Sequence, residues 1–199
     1  MSIDISNYNN WLDAWNDFYE KEKALVEIDA NAALVSSVDA EGSPNARVIL
    51  IKEVSDKGFV FYTNYESRKS REIFETGKVA ICFYWKSINR QVRVVGEIDK
   101  IPEKVSDQYF ESRSLGSRIG AWASIQSQPL KNRETLLKRV QEFKNKFDDN
   151  VPRPKHWGGF KIIPNEFEFW QDGDFRLHDR FILKPSDHST LWECQRYYP

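Results

Sequence analysis

The side chains best suited to chemistry in this 199-residue chain are cations set at the edges of apolar runs. Arg47 and Lys52 bracket Val48-Ile49-Leu50-Ile51. Five apart, they point to opposite faces of an ideal strand, so one strand offers charge to two places. Tyr62-Thr63 is followed by Ser67-Arg68-Lys69-Ser70 at an expected helix start. Hydroxyls, free backbone N–H groups and two cations there suit a phosphate, although a capped basic helix start also serves a purely structural end. Tyr109, Arg113 and Ser117 are spaced by four and share a face if one helix carries them. A phenol, a guanidinium and a hydroxyl on one face suit a phosphate monoester; the same pattern also describes a solvated helix surface. In Trp170-Gln171-Asp172-Gly173-Asp174-Phe175-Arg176-Leu177-His178-Asp179-Arg180, the residues Arg176, His178 and Arg180 alternate and share a face if the segment is extended. Three potential cations together repel unless a ligand balances them. The other reading is a polar edge strand in which Asp172, Asp174 and Asp179 are the partners; the ligand reading is the better of the two.

Several other chemistries find no footing. The histidines are His156, His178 and His188; there is no HExxH, and no two histidines lie one helical turn apart, so no metal is expected. No GxSxG elbow, GxGxxG turn or GxxxxGK[ST] loop occurs. Cys82 and Cys194 form no CxxC pair, and Cys82, inside Val79-Ala80-Ile81-Cys82-Phe83-Tyr84, reads as a reduced core residue. With 29 Lys and Arg against 30 Asp and Glu, the net charge of -1 argues against general nucleic-acid binding. Seven tryptophans fit a packed core, and some of the rings could line a site for a flat ligand. Neither a signal peptide nor an apolar span of membrane length is visible, so the expected compartment is the cytoplasm.

The elements that must position these residues are mostly strands. A first helix is expected over about 8–25, with Trp11, Trp15 and Phe18 on one face. Strands follow at 32–38 and 45–54, the latter returning through Ser55-Asp56-Lys57-Gly58 into 59–63. A helix over 67–76 is capped by Ser67 and ended by Gly77. Strands at 78–85 and 91–101 precede a helical insertion over about 102–148: a helix opened by Pro102, a short one over 115–124, and a charged one over 130–147 with Leu136, Leu137, Val140, Phe143 and Phe147 on one side. After the linker 151–154 come strands near 159–163, 166–171 and 180–184, and a further one over 192–196. Many short, mostly antiparallel strands make this a mainly β protein with α elements (α+β), a β-barrel with helices packed outside, in one domain over 1–199.

Taken in order, the segments resemble the pyridoxine/pyridoxamine 5′-phosphate oxidase family. The resemblance rests on Arg47-Val48-Ile49-Leu50-Ile51-Lys52, Phe61-Tyr62-Thr63-Asn64 with Ser67-Arg68-Lys69, and Arg90-Gln91-Val92. It continues through Tyr109-Phe110, Ser112-Arg113, Ile119-Gly120-Ala121-Trp122-Ala123-Ser124 with Gln126-Ser127, Trp157-Gly158-Gly159-Phe160, Glu168-Phe169-Trp170-Gln171 and Arg176-Leu177-His178-Asp179-Arg180. The family implies an FMN-binding split β-barrel with its site at a homodimer interface. By resemblance, Arg47, Lys52, Tyr62, Thr63, Arg68, Lys69, Gln91, Gln126, Ser127, Trp170 and Arg180 contact FMN. Lys52, Tyr109, Arg113 and Ser117 hold the substrate phosphate, and Arg176 and His178 lie against the pyridine ring as the catalytic pair. The implied reaction takes pyridoxamine or pyridoxine 5′-phosphate and O2 to pyridoxal 5′-phosphate and hydrogen peroxide. Departures from the family pattern are the short stretch before the first helix, Arg118 where glutamine is common, Phe175 where a smaller or polar residue is usual, and the ending Arg196-Tyr197-Tyr198-Pro199. They leave open a flavin oxidase of another reduced ring, such as a dihydrophenazine, or a non-enzymatic flavin- or haem-binding barrel.

Overall fold

The computed structural model describes residues 3–27, 29–186 and 191–199; His188 lies outside them. The first helix, α1 (Trp11–Lys23), starts where Asn10 accepts from the Asp13 N–H and turns Trp11, Trp15 and Phe18 inward. Strands β1 (Ala32–Val38), β2 (Pro44–Leu50), β3 (Glu53–Ser55) and β4 (Gly58–Asn64) follow, then helix α2 (Arg68–Thr76), β5 (Lys78–Trp85) and β6 (Arg90–Lys100). Helices α3 (Glu103–Ser112), α4 (Leu115–Ala123) and α5 (Arg133–Phe147) form the insertion, and β7 (Trp157–Gln171), β8 (Asp179–Pro185) and β9 (Trp192–Arg196) complete the chain.

Every described strand joins one antiparallel sheet in the order β2-β1-β5-β6-β7-β4-β3, with β8 beside β7 and β9 beside β8. The strand expected over 45–54 is two strands on opposite edges of that sheet. The chain crosses between them at Ile51 and Lys52: the Ile51 N–H bonds Asn31 O on the β1 side, and the Lys52 N–H bonds Val60 O on the β4 side. The sheet therefore curls until β2 approaches β4, which is the closure of a split barrel.

The strands expected near 159–163 and 166–171 are one, β7, because the β6 edge pairs it from Phe160 to Gln171 across the gap between them. On its other edge β4 takes Trp157–Ile162 and β8 takes Phe167–Gln171. Pro164, which has no N–H to give, falls between those two partners, and a bulge between Val95 and Gly96 absorbs the irregularity.

Alternation along the strands sends Val79, Ile81, Phe83, Trp85, Val92, Val94, Phe167 and Phe169 inward, where α1 plugs the barrel. Trp11 stacks on Phe167 at 4.5 Å, and Phe18 meets Phe169 edge-on at 5.5 Å. A smaller cluster of Phe110, Ile119, Val151 and Trp157 joins the helical insertion to the sheet. Leu136, Val140, Phe143 and Phe147 of α5 are half-buried, whereas Leu137, expected beside them, is exposed. Cys82, expected in the core, is half-buried on the outer face of β5. Pro102 stands at the N-cap of α3, one position before the first helical turn.

Since Phe18 is fully buried against Phe169 and Trp85, Phe18→Ala should cost about 3–5 kcal/mol of unfolding free energy. Urea denaturation followed by tryptophan fluorescence measures it; a loss under about 1 kcal/mol would show that α1 is a dispensable cover.

Candidate active site

A cleft of about 600 Å3 opens at the seam between β2 and β4, walled by α2, α3 and α4. At one end lies a cationic corner built by α2 and the edge of β2. Arg47 Nη1 donates to Ser37 Oγ at 2.6 Å, and its Nη2 stands 3.6 Å from Glu72 Oε2. Glu72, buried on α2, also accepts from Ser37, Asn45 and Arg68 at 2.5, 2.8 and 2.8 Å. Burial pushes its carboxyl up, but the hydrogen bonds from Ser37 and Arg68 and the charges of Arg47 and Arg68 outweigh this and hold it below its ordinary value. Glu72 escaped the sequence reading, although its position one helical turn after Arg68 was a usable signal.

Lys69 is also buried, and among the described residues its Nζ donates only to the neutral acceptors Ser67 Oγ at 3.1 Å and Gln126 Oε1 at 3.3 Å. Burial, and after it the neighbouring Arg47, lower its pKa from 10.5 to about 8. Arg68 and Ser127 complete the corner through an Arg68 N–H to Ser127 Oγ bond at 3.2 Å. Ser67 occupies the N-cap of α2, but its side chain turns to Ser70 and Lys69 and does not cap the helix. Two of the three cations, Arg47 and Arg68, share the single carboxylate of Glu72, and Lys69 has none among the described residues, an arrangement that fits an anionic group such as a phosphate.

The other end of the cleft is aromatic. Tyr62 stacks on Tyr109 at 3.9 Å and on Trp157 at 5.4 Å, and the Arg113 guanidinium lies 4.7 Å over the Trp157 ring. Burial pushes the Tyr62 phenol up to about 12 and raises that of Tyr109, so both stay neutral donors at ordinary pH. Tyr109, Arg113 and Ser117 do converge on the cleft, but not as one helix face. Helix α3 ends at Ser112, Arg113 is extended, and Ser114 caps α4 by accepting from the Ser117 N–H. Arg113 Nη1 is buried without a hydrogen-bond partner among the described residues, a second cationic donor suited to an anion. Trp157, which orients Arg113, was visible in the sequence only as part of a motif, because its neighbour across the cleft is 44 residues away in the chain.

Lys52 and Arg47, expected on opposite faces, line this same cleft. Strand alternation does not connect them because the chain changes sheet edge between them.

Gln91, Trp170, Arg180, Arg176 and His178 do not line the cleft. Gln91 pairs with Trp170 and Trp170 with Arg180, so the three share the outer face of the sheet. Arg180 makes two bonds to Glu168 Oε2, from Nε at 2.9 Å and Nη2 at 2.6 Å. Arg176 and His178 precede β8 in a turn, and the alternation expected from an extended segment is absent. Residues 174–176 form a single 3-10 turn in which Phe175 and Arg176 take left-handed backbone at φ 56° and 65°. Gly173 permits the turn, since a Cβ there would lie 2.4 Å from Leu177 O. His178 sits 4.7 Å from the Trp170 ring, with Nδ1 3.1 Å from both Gly173 N and Asp172 Oδ1. A neutral ring protonated on Nε2 accepts from Gly173, and a proton on Nδ1 is given to Asp172.

Lys69 supplies a pH test of the cationic corner. Its folded pKa of about 8 lies below the 10.5 of the free side chain. The unfolded chain therefore binds more protons between those values, and stability rises with pH across that window. Lys69→Met should make the ligand-free protein more stable than wild type at pH 7, and the advantage should shrink toward pH 10. Melting temperatures measured across that range decide it; a pH-independent difference would mean that Lys69 is not held desolvated.

The family profile for pyridoxamine 5′-phosphate oxidase matches residues 18–147, and that for the pyridoxine 5′-phosphate oxidase C-terminal dimerisation region matches residues 157–199. A pyridoxine/pyridoxamine 5′-phosphate oxidase of Myxococcus xanthus (strain DK1622) is 46% identical over 184 residues, covering 92% of this chain and 88% of its own length. One from Roseobacter denitrificans is 50% identical over 171 residues, covering 86% of this chain and 85% of its own. Among solved structures, PhzG from Burkholderia lata 383 in complex with tetrahydrophenazine-1-carboxylic acid superposes with a TM-score of 0.90 at 25% identity, over 97% of this chain and 94% of that one. A pyridoxamine 5′-phosphate oxidase-related, FMN binding protein from Nostoc punctiforme PCC 73102 shares the fold, with a TM-score of 0.76 at 16% identity over 100% of both chains. The split barrel expected from the sequence is thus the observed fold, and by the extent of these matches the chain is an oxidoreductase that belongs to the pyridoxamine 5′-phosphate oxidase family.

Proposed function

We propose that the protein oxidises pyridoxamine or pyridoxine 5′-phosphate to pyridoxal 5′-phosphate, with FMN as cofactor and O2 as final acceptor, releasing hydrogen peroxide and, from the amine, ammonia. The observation that carries this reading is the presence of two separate cationic ends in one cleft, at Arg47 and Lys69 and at Arg113. A cofactor and a substrate that each bear a phosphate fill both. A phosphate-free ring, such as the ligand of the PhzG structure, would leave Arg113 Nη1 desolvated and unpaired, at a cost of roughly 1–3 kcal/mol. That argues against the dihydrophenazine alternative despite the close similarity of fold.

In this reading Arg47, Arg68, Lys69, Gln126 and Ser127 hold the FMN phosphate end, and Tyr62 and Thr63 of β4 contact FMN further along the cleft, Tyr62 from its aromatic end. Lys52, Tyr109, Arg113 and Ser117 hold the substrate phosphate. FMN supplies the hydride acceptor. The substrate C4′ gives up a hydride while its oxygen or nitrogen gives up a proton, leaving an aldehyde or an imine that water hydrolyses. Arg176 is planar and always charged, suited to lie on the pyridine, and His178 positions that ring or takes the proton.

Gln91, Trp170, Arg176, His178 and Arg180 reach the flavin from a second copy of the chain. Support comes from the dimerisation-region match and from the outer face of the sheet. There Val48, Leu34 and Tyr84 are exposed, at 67%, 42% and 58%. Register pairs Val48 with Leu34, Leu34 with Cys82, and Tyr84 with Gln91, so the apolar patch and the second group of site residues form one continuous face. Val48 and Leu50 also line the cleft, so a copy covering this face closes the cleft as well. The whole chain acts as one flavin-binding domain, and the cytoplasm is the proposed compartment.

The test is a visible spectrum of purified protein under anaerobic conditions. Pyridoxamine 5′-phosphate should bleach the flavin bands, and air should restore them with stoichiometric peroxide; bands unchanged by the substrate would refute the reading. Arg113 acts on a phosphate remote from the reacting carbon, so Arg113→Ala should raise KM with little change in kcat. The lost charge-assisted bond corresponds to about 1.5–3 kcal/mol, or roughly 10- to 100-fold in KM. Steady-state kinetics showing a collapsed kcat at unchanged KM would assign Arg113 to another role.

A further inference from the structure

We infer that Glu168 is a positioning residue of the flavin site, fixing the plane and reach of Arg180. The inference rests on the reading above that Arg180 meets FMN.

Glu168 sits in the middle of β7 on the outer face of the sheet, paired with Arg93 of β6 on one side and Ile182 of β8 on the other. Only 6% of it is exposed, although the polar neighbours are themselves partly open to solvent. A carboxylate buried in mid-strand is costly unless cations satisfy it. Two do, and unequally. Arg180 brings Nε and Nη2 to the single oxygen Oε2, at 2.9 and 2.6 Å. Arg93 offers only Nη1, 3.3 Å from each oxygen, from a more exposed side chain.

A two-point contact fixes the orientation of a planar guanidinium, whereas a one-point contact leaves it free to turn. With Nε and Nη2 committed to Glu168, Arg180 presents its Nη1 edge, whose remaining contact is a long one of 3.5 Å to Tyr198 O. The same side chain pairs in register with Trp170, which stands against His178. Glu168 therefore aims Arg180 from behind, within the group that the proposed reading gives to the flavin.

The test uses holoprotein and reads flavin release on dilution, followed by recovery of flavin fluorescence. Glu168→Gln keeps the shape and removes the charge; Arg180→Lys keeps the charge and removes the fork. Each should speed release roughly tenfold, and the double variant should be no faster than the faster single, because both remove one interaction. Arg93→Gln should stay within about twofold of wild type. If Arg180→Lys speeds release while Glu168→Gln does not, or if the two effects multiply, the positioning role is overturned and the flavin contact of Arg180 stands. If Arg180→Lys itself releases flavin at the wild-type rate, the contact is wrong and the inference falls with it. Should Glu168→Gln not accumulate as folded protein, Glu168→Asp, which keeps the charge one methylene short, must still speed release at a near-wild-type melting temperature; a normal rate in that variant overturns the proposal.

Discussion

The structure depends on the pairing of one strand. β7 runs for 15 residues with β6 along one edge and with β4 and then β8 along the other. Its first residue, Trp157, lies in the cleft under Arg113, and its later residues Glu168 and Trp170 stand on the outer face with Arg180. Hydrogen bonding on both edges leaves a strand little freedom to slide, and a slip of one residue would exchange its two faces. The distance between the two groups of site residues is therefore set by backbone ladder geometry rather than by loops. The helices complete that frame: α1 fills the barrel from within, and α2, α3 and α4 bring side chains to its rim from outside.

Within that frame the fold tolerates charge it does not neutralise. Among the described residues Lys69 is buried with neutral acceptors only, and Arg113 is half-buried with an unpaired donor. Both lose stability to desolvation in the free protein, and both gain it back from an anion. Glu72 prevents the cationic corner from repelling itself apart, since it engages Arg47 and Arg68, but it leaves Lys69 without a carboxylate partner among the described residues. The desolvation cost carried in the free chain becomes part of the affinity for any anionic ligand that pairs these cations.

The sequence made the frame legible where periodicity was strong. The apolar face of α1, the strands at 32–38 and 78–85, and the glycine that ends α2 in left-handed backbone at φ 67° were all readable from local pattern. What could not be read were the places where the chain leaves one regular element for another. Arg47 and Lys52 look like opposite faces of a strand because nothing local announces that Ile51 and Lys52 cross from one sheet edge to the other. Tyr109, Arg113 and Ser117 keep helical spacing across a helix break at Arg113 and Ser114, and still converge on the cleft. The candidate residues themselves were largely recoverable from motif resemblance; the orienting roles of Glu72, Trp157 and Glu168 were not, although Trp157 and Glu168 lie inside two of those motifs, because apart from the Arg68–Glu72 pair within α2 the contacts involved are tertiary.

The turn at 173–178 shows the same division most sharply. Strand alternation alone would place Arg176, His178 and Arg180 in a row, yet two consecutive left-handed residues turn Arg176 out of register. Left-handed backbone is unfavourable for a residue as bulky as phenylalanine, and Phe175 gains no burial in return, being 94% exposed. Gly173 and the bond from its N–H to His178 hold the turn closed in the single chain. Neither gives any reason for the exposed Phe175 and Arg176 side chains. A second copy seated on the outer face does, because that face already carries an exposed apolar patch in register with Gln91, Trp170 and Arg180. Under the proposed pairing, the backbone strain, the unburied aromatic ring and the cleft open along Val48 and Leu50 share one account: each is half of a contact that the single chain cannot make.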